Sequence, residues 1–167
     1  FSIDIRALAF FRMFIATILL FDFSRLCSYS TYFFSDQGVL PRADALKLMA
    51  PGMWSINLLN GSSTFQLALF IIGIFFSVLL LFGCRTKLSL FIVFIIHLSV
   101  NSRNMLIIQG GDTLLNCLMF WSLWLPLNHS YSIDSALSKG ILNKEYTNTN
   151  LIFSVATVAI LLQAAYV

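Results

Sequence analysis

Long apolar runs alternate with short polar breaks along this chain, and within each run the apolar residues are continuous rather than every second one. The runs are residues 7–23, 65–83, 88–108, 113–127 and 151–167. About 20 apolar residues cross the hydrocarbon core of a bilayer as a helix. In lipid a helix satisfies all its backbone groups within one segment. The pattern therefore predicts an all-α integral membrane protein, a polytopic bundle of about five spans. Strands of a membrane barrel would instead alternate apolar and polar positions over about ten residues. Segment 65–83 has no charge, whereas 7–23 contains Arg12 and Asp22 and 88–108 contains His97. The short fourth run ends in Trp121, Trp124 and Pro126, a set suited to the membrane interface.

The breaks predict the connections. Residues 24–64 read as one long outer-side loop, with turn chemistry at Asp36-Gln37-Gly38, Pro41 and Pro51-Gly52. Asp44–Met49 fits a short helix on the membrane surface, with Trp54 at headgroup level. Arg85 and Lys87 mark a tight turn, and Gln109-Gly110-Gly111-Asp112 breaks the chain before the fourth span. Asp112 is expected at the N-cap of that helix, its carboxylate near the positive helix end. Residues 128–150, with Lys139 and Lys144, read as a solvated loop. The chain reads as a single transmembrane domain cut at both ends. It opens at Phe1 without a signal-peptide pattern, and closes at Val167 inside an apolar run.

Composition agrees with lipid as the solvent. Apolar residues make up 59% of the 167 and charged residues 10%, against about 25% charged in soluble domains. A water-soluble fold of this size has too little interior to hide that apolar surface. The net charge of +3 is thinly spread, so no basic stripe for nucleic acid exists. Cys27, Cys84 and Cys117 stand apart without ligand spacing and read as apolar filler. With the N-terminus inside, Arg6, Arg85, Lys87, Lys139 and Lys144 face the cytoplasm, against Arg25, Arg42, Lys47 and Arg103 outside. That difference leans only slightly toward N-in.

The polar residues within the spans gather toward one side of the membrane. His97, Asn101 and Asn104 share a narrow sector of the third helix at about 100° per residue. A polar face in lipid is costly unless it looks into the bundle or a wet cavity. Asp22, Arg42, His97, Asn101, Arg103, Asn104 and Asp112 thus form the candidate cluster, with Arg103 off the His97 face. Each has a plain structural reading beside the functional one. His97 lacks a second ligand at metal spacing and suits an interhelical hydrogen bond, and Asp22 can pair with Arg25 three residues on. Asp112 can act only as a cap, Gly110-Gly111 can be a turn, and Arg12 can snorkel or pair within the bundle.

Three stretches carry a likeness to a known family. They are Arg6-Ala-Leu-Ala-Phe-Phe-Arg12, then Tyr32-Phe-Phe-Ser-Asp-Gln-Gly-Val-Leu-Pro-Arg42, then Asn101-Ser-Arg-Asn104 followed by Gln109-Gly-Gly-Asp112; Gln163 with Tyr166 is a weaker echo. The chain resembles the N-terminal part of the HTTM domain, the membrane domain shared with vitamin K-dependent γ-glutamyl carboxylases and their bacterial relatives. The resemblance implies a helical bundle, as in a bacterial inner-membrane protein, with any active site near the outer side. It also implies a cofactor, reduced vitamin K or another quinone, and an intramembrane lysine base just after the Gln…Tyr helix. That position falls beyond Val167; Lys47, Lys87, Lys139 and Lys144 lie in loops or turns and do not match it. Two functions follow as expectations. One is a non-catalytic or accessory membrane subunit, partnered by the bilayer and other subunits of a complex. The other is a carboxylase-like membrane enzyme whose lysine lies outside this sequence. A transporter would show paired broken helices in repeated halves, and the chain shows none.

Overall fold

A computed structural model describes residues 5–49, 52–104, 109–125, 127, 132–134, 157–160 and 162–163, and every regular element among them is helical. The order is α1 (Ile5–Ser28), α2 (Ser30–Phe34), α3 (Arg42–Leu48), a 3₁₀ turn (Ile56–Leu58), α4 (Ser63–Phe82), α5 (Thr86–Arg103) and α6 (Gly110–Ser122).

Helix α1 runs 24 residues because neither Gly nor Pro interrupts it, and Arg25 in its last turn complements the negative helix end. One face, with Ala9, Arg12, Ile15, Ala16, Leu19, Phe23 and Leu26, is buried. The opposite stripe of Phe10, Phe14 and Phe21, at helical spacing, is exposed at 64%, 65% and 74%. Helix α4 repeats this arrangement: Gln66, Phe70, Gly73, Ser77 and Leu80 face inward, and Ile71, Ile72, Phe75 and Phe82 face outward. An ordinary surface helix is polar on its outer face; the outer faces of these two carry large apolar side chains. Ala7–Ser28 and Ser63–Phe82 are long and apolar enough to cross a membrane, and only 33% and 28% of their most apolar windows are buried in the protein. The core helix of a soluble protein would be mostly buried.

Helix α4 packs along α1 on one side and α5 on the other. At Gly73 the α1–α4 approach is close: an added Cβ would lie 3.0 Å from the Phe23 ring. Phe34 meets Phe70 edge-to-face at 5.2 Å, which seats α2 against α4. Ser62 caps α4 by accepting from the Phe65 amide. The helix ends at Gly83, whose φ of 70° permits Gly83 N–H to reach Leu80 O and Cys84 N–H to reach Leu79 O. That double bond pattern stops α4 in a left-handed cap and turns the chain into α5.

Several expectations change. The region expected as a loop over 24–64 is folded: α1 continues to Ser28, and α2, α3 and the 3₁₀ turn follow. The surface helix begins at Arg42 rather than Asp44, because Pro41 at its N-cap has no N–H to leave unpaired. The described part of the third span ends at Arg103 and carries polar side chains along its length. Helix α6 has 13 residues, about 20 Å at 1.5 Å per residue, short of a core about 30 Å thick. The last run lies largely outside the described residues; positions 157–160 and 162–163 are helical. Pro126 and most of 128–150 are also outside them.

Candidate functional site

Six of the seven candidate residues, drawn from α1, α3, α5 and the C-cap of α5, form two groups, and Asp112 on α6 joins neither. In the first, α1, α5 and α6 converge on His97, which is 1% exposed. Its Nδ1 is 2.8 Å from Asn116 Oδ1 on α6. Its Nε2 is 3.7 Å from Asp22 Oδ2 on α1, and Asp22 is also bonded at 2.8 Å to the exposed Arg25. The Phe23 ring lies edge-on to the imidazole at 6.2 Å. Each ring nitrogen thus faces one polar group, the amide oxygen at Nδ1 and the carboxylate at Nε2. The result is a chain of polar groups from an exposed guanidinium, through a half-shielded carboxylate, to a buried imidazole. Asn101 stands one turn beyond His97, and its buried Nδ2 has no hydrogen-bond partner.

The second group holds the Tyr32–Arg42 segment against α5. Asp36 and Arg42 pair at 2.7 Å, with the Arg42 Nε–H and backbone N–H also donated to the carboxylate. The Asp36 amide donates to Gly61 O at 3.0 Å, and a Cβ on Gly61 would overlap the Asp36 carboxylate. A Cβ on Gly38 would overlap the Tyr32 and Thr31 carbonyl oxygens, and Val39 N–H reaches Tyr32 O at 2.8 Å. At Gly38 backbone leaves no room for a Cβ, and at Gly61 the Asp36 carboxylate would have to move. The side-chain bond from Arg42 holds the Asp36 carboxyl below the ordinary range, burial opposing and the field of Arg103 adding to the effect. Arg103, 1% exposed, donates from Nη2 to Leu40 O at 2.9 Å and Phe34 O at 3.4 Å. Asn104 donates to Phe33 O at 3.3 Å.

A third polar set lies beside this group. Ser99 Oγ donates to Asn57 Oδ1 at 2.6 Å and accepts from Ile56 N–H at 2.7 Å and Asn57 N–H at 3.3 Å. Asn57 Nδ2 donates to Gln66 Oε1 at 2.7 Å, and Gln66 Nε2 returns to Asn57 O and Asn60 O. Asn57 and Gln66 are fully buried. This network nails the 3₁₀ turn to α4 and α5.

Asp112 departs from expectation. Gln109 is the N-cap of α6, and Asp112, in the first turn, accepts from the Gln109 amide at 3.0 Å. Gly110 and Gly111 are the first residues of the helix rather than a turn. Among the described residues neither Arg42 nor Arg103 pairs with Asp112: Arg42 is taken by Asp36 and Arg103 by loop carbonyls. Arg12 does not snorkel; it is buried and donates to Leu127 O at 2.9 Å at the other end of the bundle. There Asp134 accepts from the Arg85 and Thr86 amides and the Thr86 hydroxyl, capping α5 from 48 residues away. Burial acts most strongly on the Asp134 carboxyl and raises it, but the Thr86 and Arg85 bonds and the Arg12 charge together hold it below its usual range.

Sequence reasoning left out Asn116, Ser99, Asn57, Gln66 and Asp134. The first had a usable signal, since Asp112 and Asn116 are one turn apart on α6. The others are ordinary polar residues whose roles depend on partners distant in sequence. Among the described residues no three His, Cys, Asp or Glu side chains converge as metal ligands would. No family model, curated protein or solved structure matches the chain.

Proposed function

We propose that this chain is the membrane-embedded part of a multi-pass protein of the HTTM type, acting as a non-catalytic or accessory subunit in a bacterial inner membrane. The observation that carries the reading is how its buried polar groups are used. Ser99, Asn57, Gln66, Asn104 and the Arg103 Nη2 all bind protein backbone or one another, holding the segment after α1 in place. That is the work of a scaffold. Lipid contact is supported by the apolar outer faces of α1 and α4, since exposed apolar area on this scale is unfavourable in water.

The topology is tested by labelling. With the native cysteines replaced, Leu59→Cys and Lys87→Cys, both at exposed positions at opposite ends of the bundle, react with an impermeant maleimide from opposite sides of sealed vesicles. Labelling from one side only, or extraction of the protein by alkaline carbonate, overturns the reading.

A second reading, a membrane enzyme of the carboxylase type using a quinone, is favoured by the Asp22–His97–Asn116 arrangement. A carboxylate and an amide on the two ring nitrogens is the geometry that holds an imidazole for proton transfer. His97→Gln separates the two in a host lacking the native gene. Loss of rescue at unchanged protein abundance favours the enzyme; rescue that tracks abundance favours the scaffold.

A further inference from the structure

We infer that Arg103 is the receiving group of an anion site, built to take a phosphate or carboxylate group at the end of α5. The inference rests partly on the membrane reading above, because one source of such a group is a lipid headgroup.

Among the described residues four cations lie at the end of the bundle where α5 stops, and three hold carboxylates: Arg25–Asp22 at 2.8 Å, Arg42–Asp36 at 2.7 Å and Lys47–Asp44 at 2.9 Å. The three paired cations are partly exposed, where water alone would serve them. The fourth, Arg103, is the most deeply buried and has no ion pair among the described residues. Its bonds are two carbonyl oxygens on Nη2, and its buried Nε and Nη1 have no hydrogen-bond partner. Burying a charge without a counter-charge is the most costly polar arrangement a fold can hold. A carboxylate or phosphate oxygen accepts a charge-assisted N–H bond from a guanidinium, and the open Nε–H and Nη1–H, on different edges, each offer one.

The surroundings reinforce the assignment. The carbonyls of Phe34, at the end of α2, and of Leu40 fix Nη2, so the plane of the guanidinium is set before any ligand arrives. Asp36 is near enough to feel Arg103, yet its oxygens are engaged by Arg42 and its carboxylate is wedged against Gly61. It tempers the charge without bonding to it. Asp22 and Asp44 hold Arg25 and Lys47, and Asp112 is turned to its own helix start. The ligand reaches Arg103 by displacing the partly exposed Asp36–Arg42 pair.

The test uses the protein purified in a neutral detergent. Native mass spectrometry compares retention of phosphatidylglycerol with phosphatidylcholine, offered as mixed micelles. A melting series with inorganic phosphate or acetate at constant ionic strength forms the second arm. One retained phosphatidylglycerol, lost in Arg103→Gln and partly kept in Arg103→Lys, identifies a lipid headgroup site. A phosphate- or acetate-dependent rise in melting temperature, absent in Arg103→Gln, identifies a free-anion site. No preference for the anionic lipid and no rise with either anion overturns the inference. Where Arg103→Gln does not fold, the wild-type comparison of anionic with neutral lipid, and of phosphate or acetate with chloride, still decides. Failure of the membrane reading shows separately, as carbonate extraction, and leaves the free-anion arm intact.

Discussion

Replacing Ser99 with Ala removes one oxygen from the centre of the network that fastens the 3₁₀ turn. Besides the 3.0 Å contact with Ser55 Oγ, three bonds to the turn are lost: the hydroxyl's donation to Asn57 Oδ1, and its acceptance from the Ile56 and Asn57 amides. Asn57 is fully buried, so its carbonyl and amide cannot turn to water. Each buried polar group left unpaired costs about 1–3 kcal/mol. Measured interhelical hydrogen bonds in membrane proteins average only about 0.6 kcal/mol each. The longer Asn57 amide contact is the weakest of the three, so the expected loss is about 2–4 kcal/mol, the lower bound set by the membrane average. Ser102→Ala on the same helix is the control, because its hydroxyl only bonds back to Leu98 O one turn earlier. Its loss should stay within about 0.5 kcal/mol. Unfolding in mixed micelles, followed by tryptophan fluorescence, reads both. Trp54 adjoins Ser55, itself bonded to Ser99 O at 2.7 Å, so it reports release of the turn. A Ser99→Ala protein as stable as Ser102→Ala would refute the claim that this network carries the turn.

Other perturbations test separate joints. Gly73→Leu forces a side chain into the Phe23 ring and should cost at least about 1–3 kcal/mol by overpacking, seen as a lower unfolding midpoint, with Gly73→Ala intermediate. Asp134→Ala removes the acceptor for two α5 amides and should cost about 0.5–2 kcal/mol, as other lost caps do, measured the same way. Asp36 has a folded pKa below its unfolded one, so its contribution is complete above the ordinary carboxylate range, about pH 4, and is lost as the pH falls below it. Asp36→Asn should therefore flatten the acid limb of a stability–pH profile; an unchanged limb would show that the Arg42 pair is not what titrates.

How much of this was legible in the sequence depends on the range of the interaction concerned. The continuous apolar runs of α1 and α4 determined helices able to cross a bilayer, because a helix closes its backbone bonds four residues apart and lipid accepts every face. Arg85 and Lys87 marked the turn after α4, and the structure places its left-handed cap at Gly83. Counting runs gave the expectation that Asp22, Arg42, Arg103 and Asp112 share one side; the structure brings Asp22 to His97 and Arg103 to Leu40 beside Arg42, and leaves Asp112 at its own helix start. Tertiary structure decided the rest. Ser99 meets Ser55 across 44 residues, Asp134 meets Thr86 across 48, and Arg103 meets Leu40 across 63. No local periodicity encodes such pairs. The same spacing that put His97, Asn101 and Asn104 on one sector could not say that Asn104, at the helix end, would turn to the Phe33 carbonyl while His97 met Asn116. Nor could it show that Arg103, off that sector, would be among the most buried groups. Helical periodicity fixes the direction in which a side chain leaves its own axis; what waits there is set by how separate axes pack.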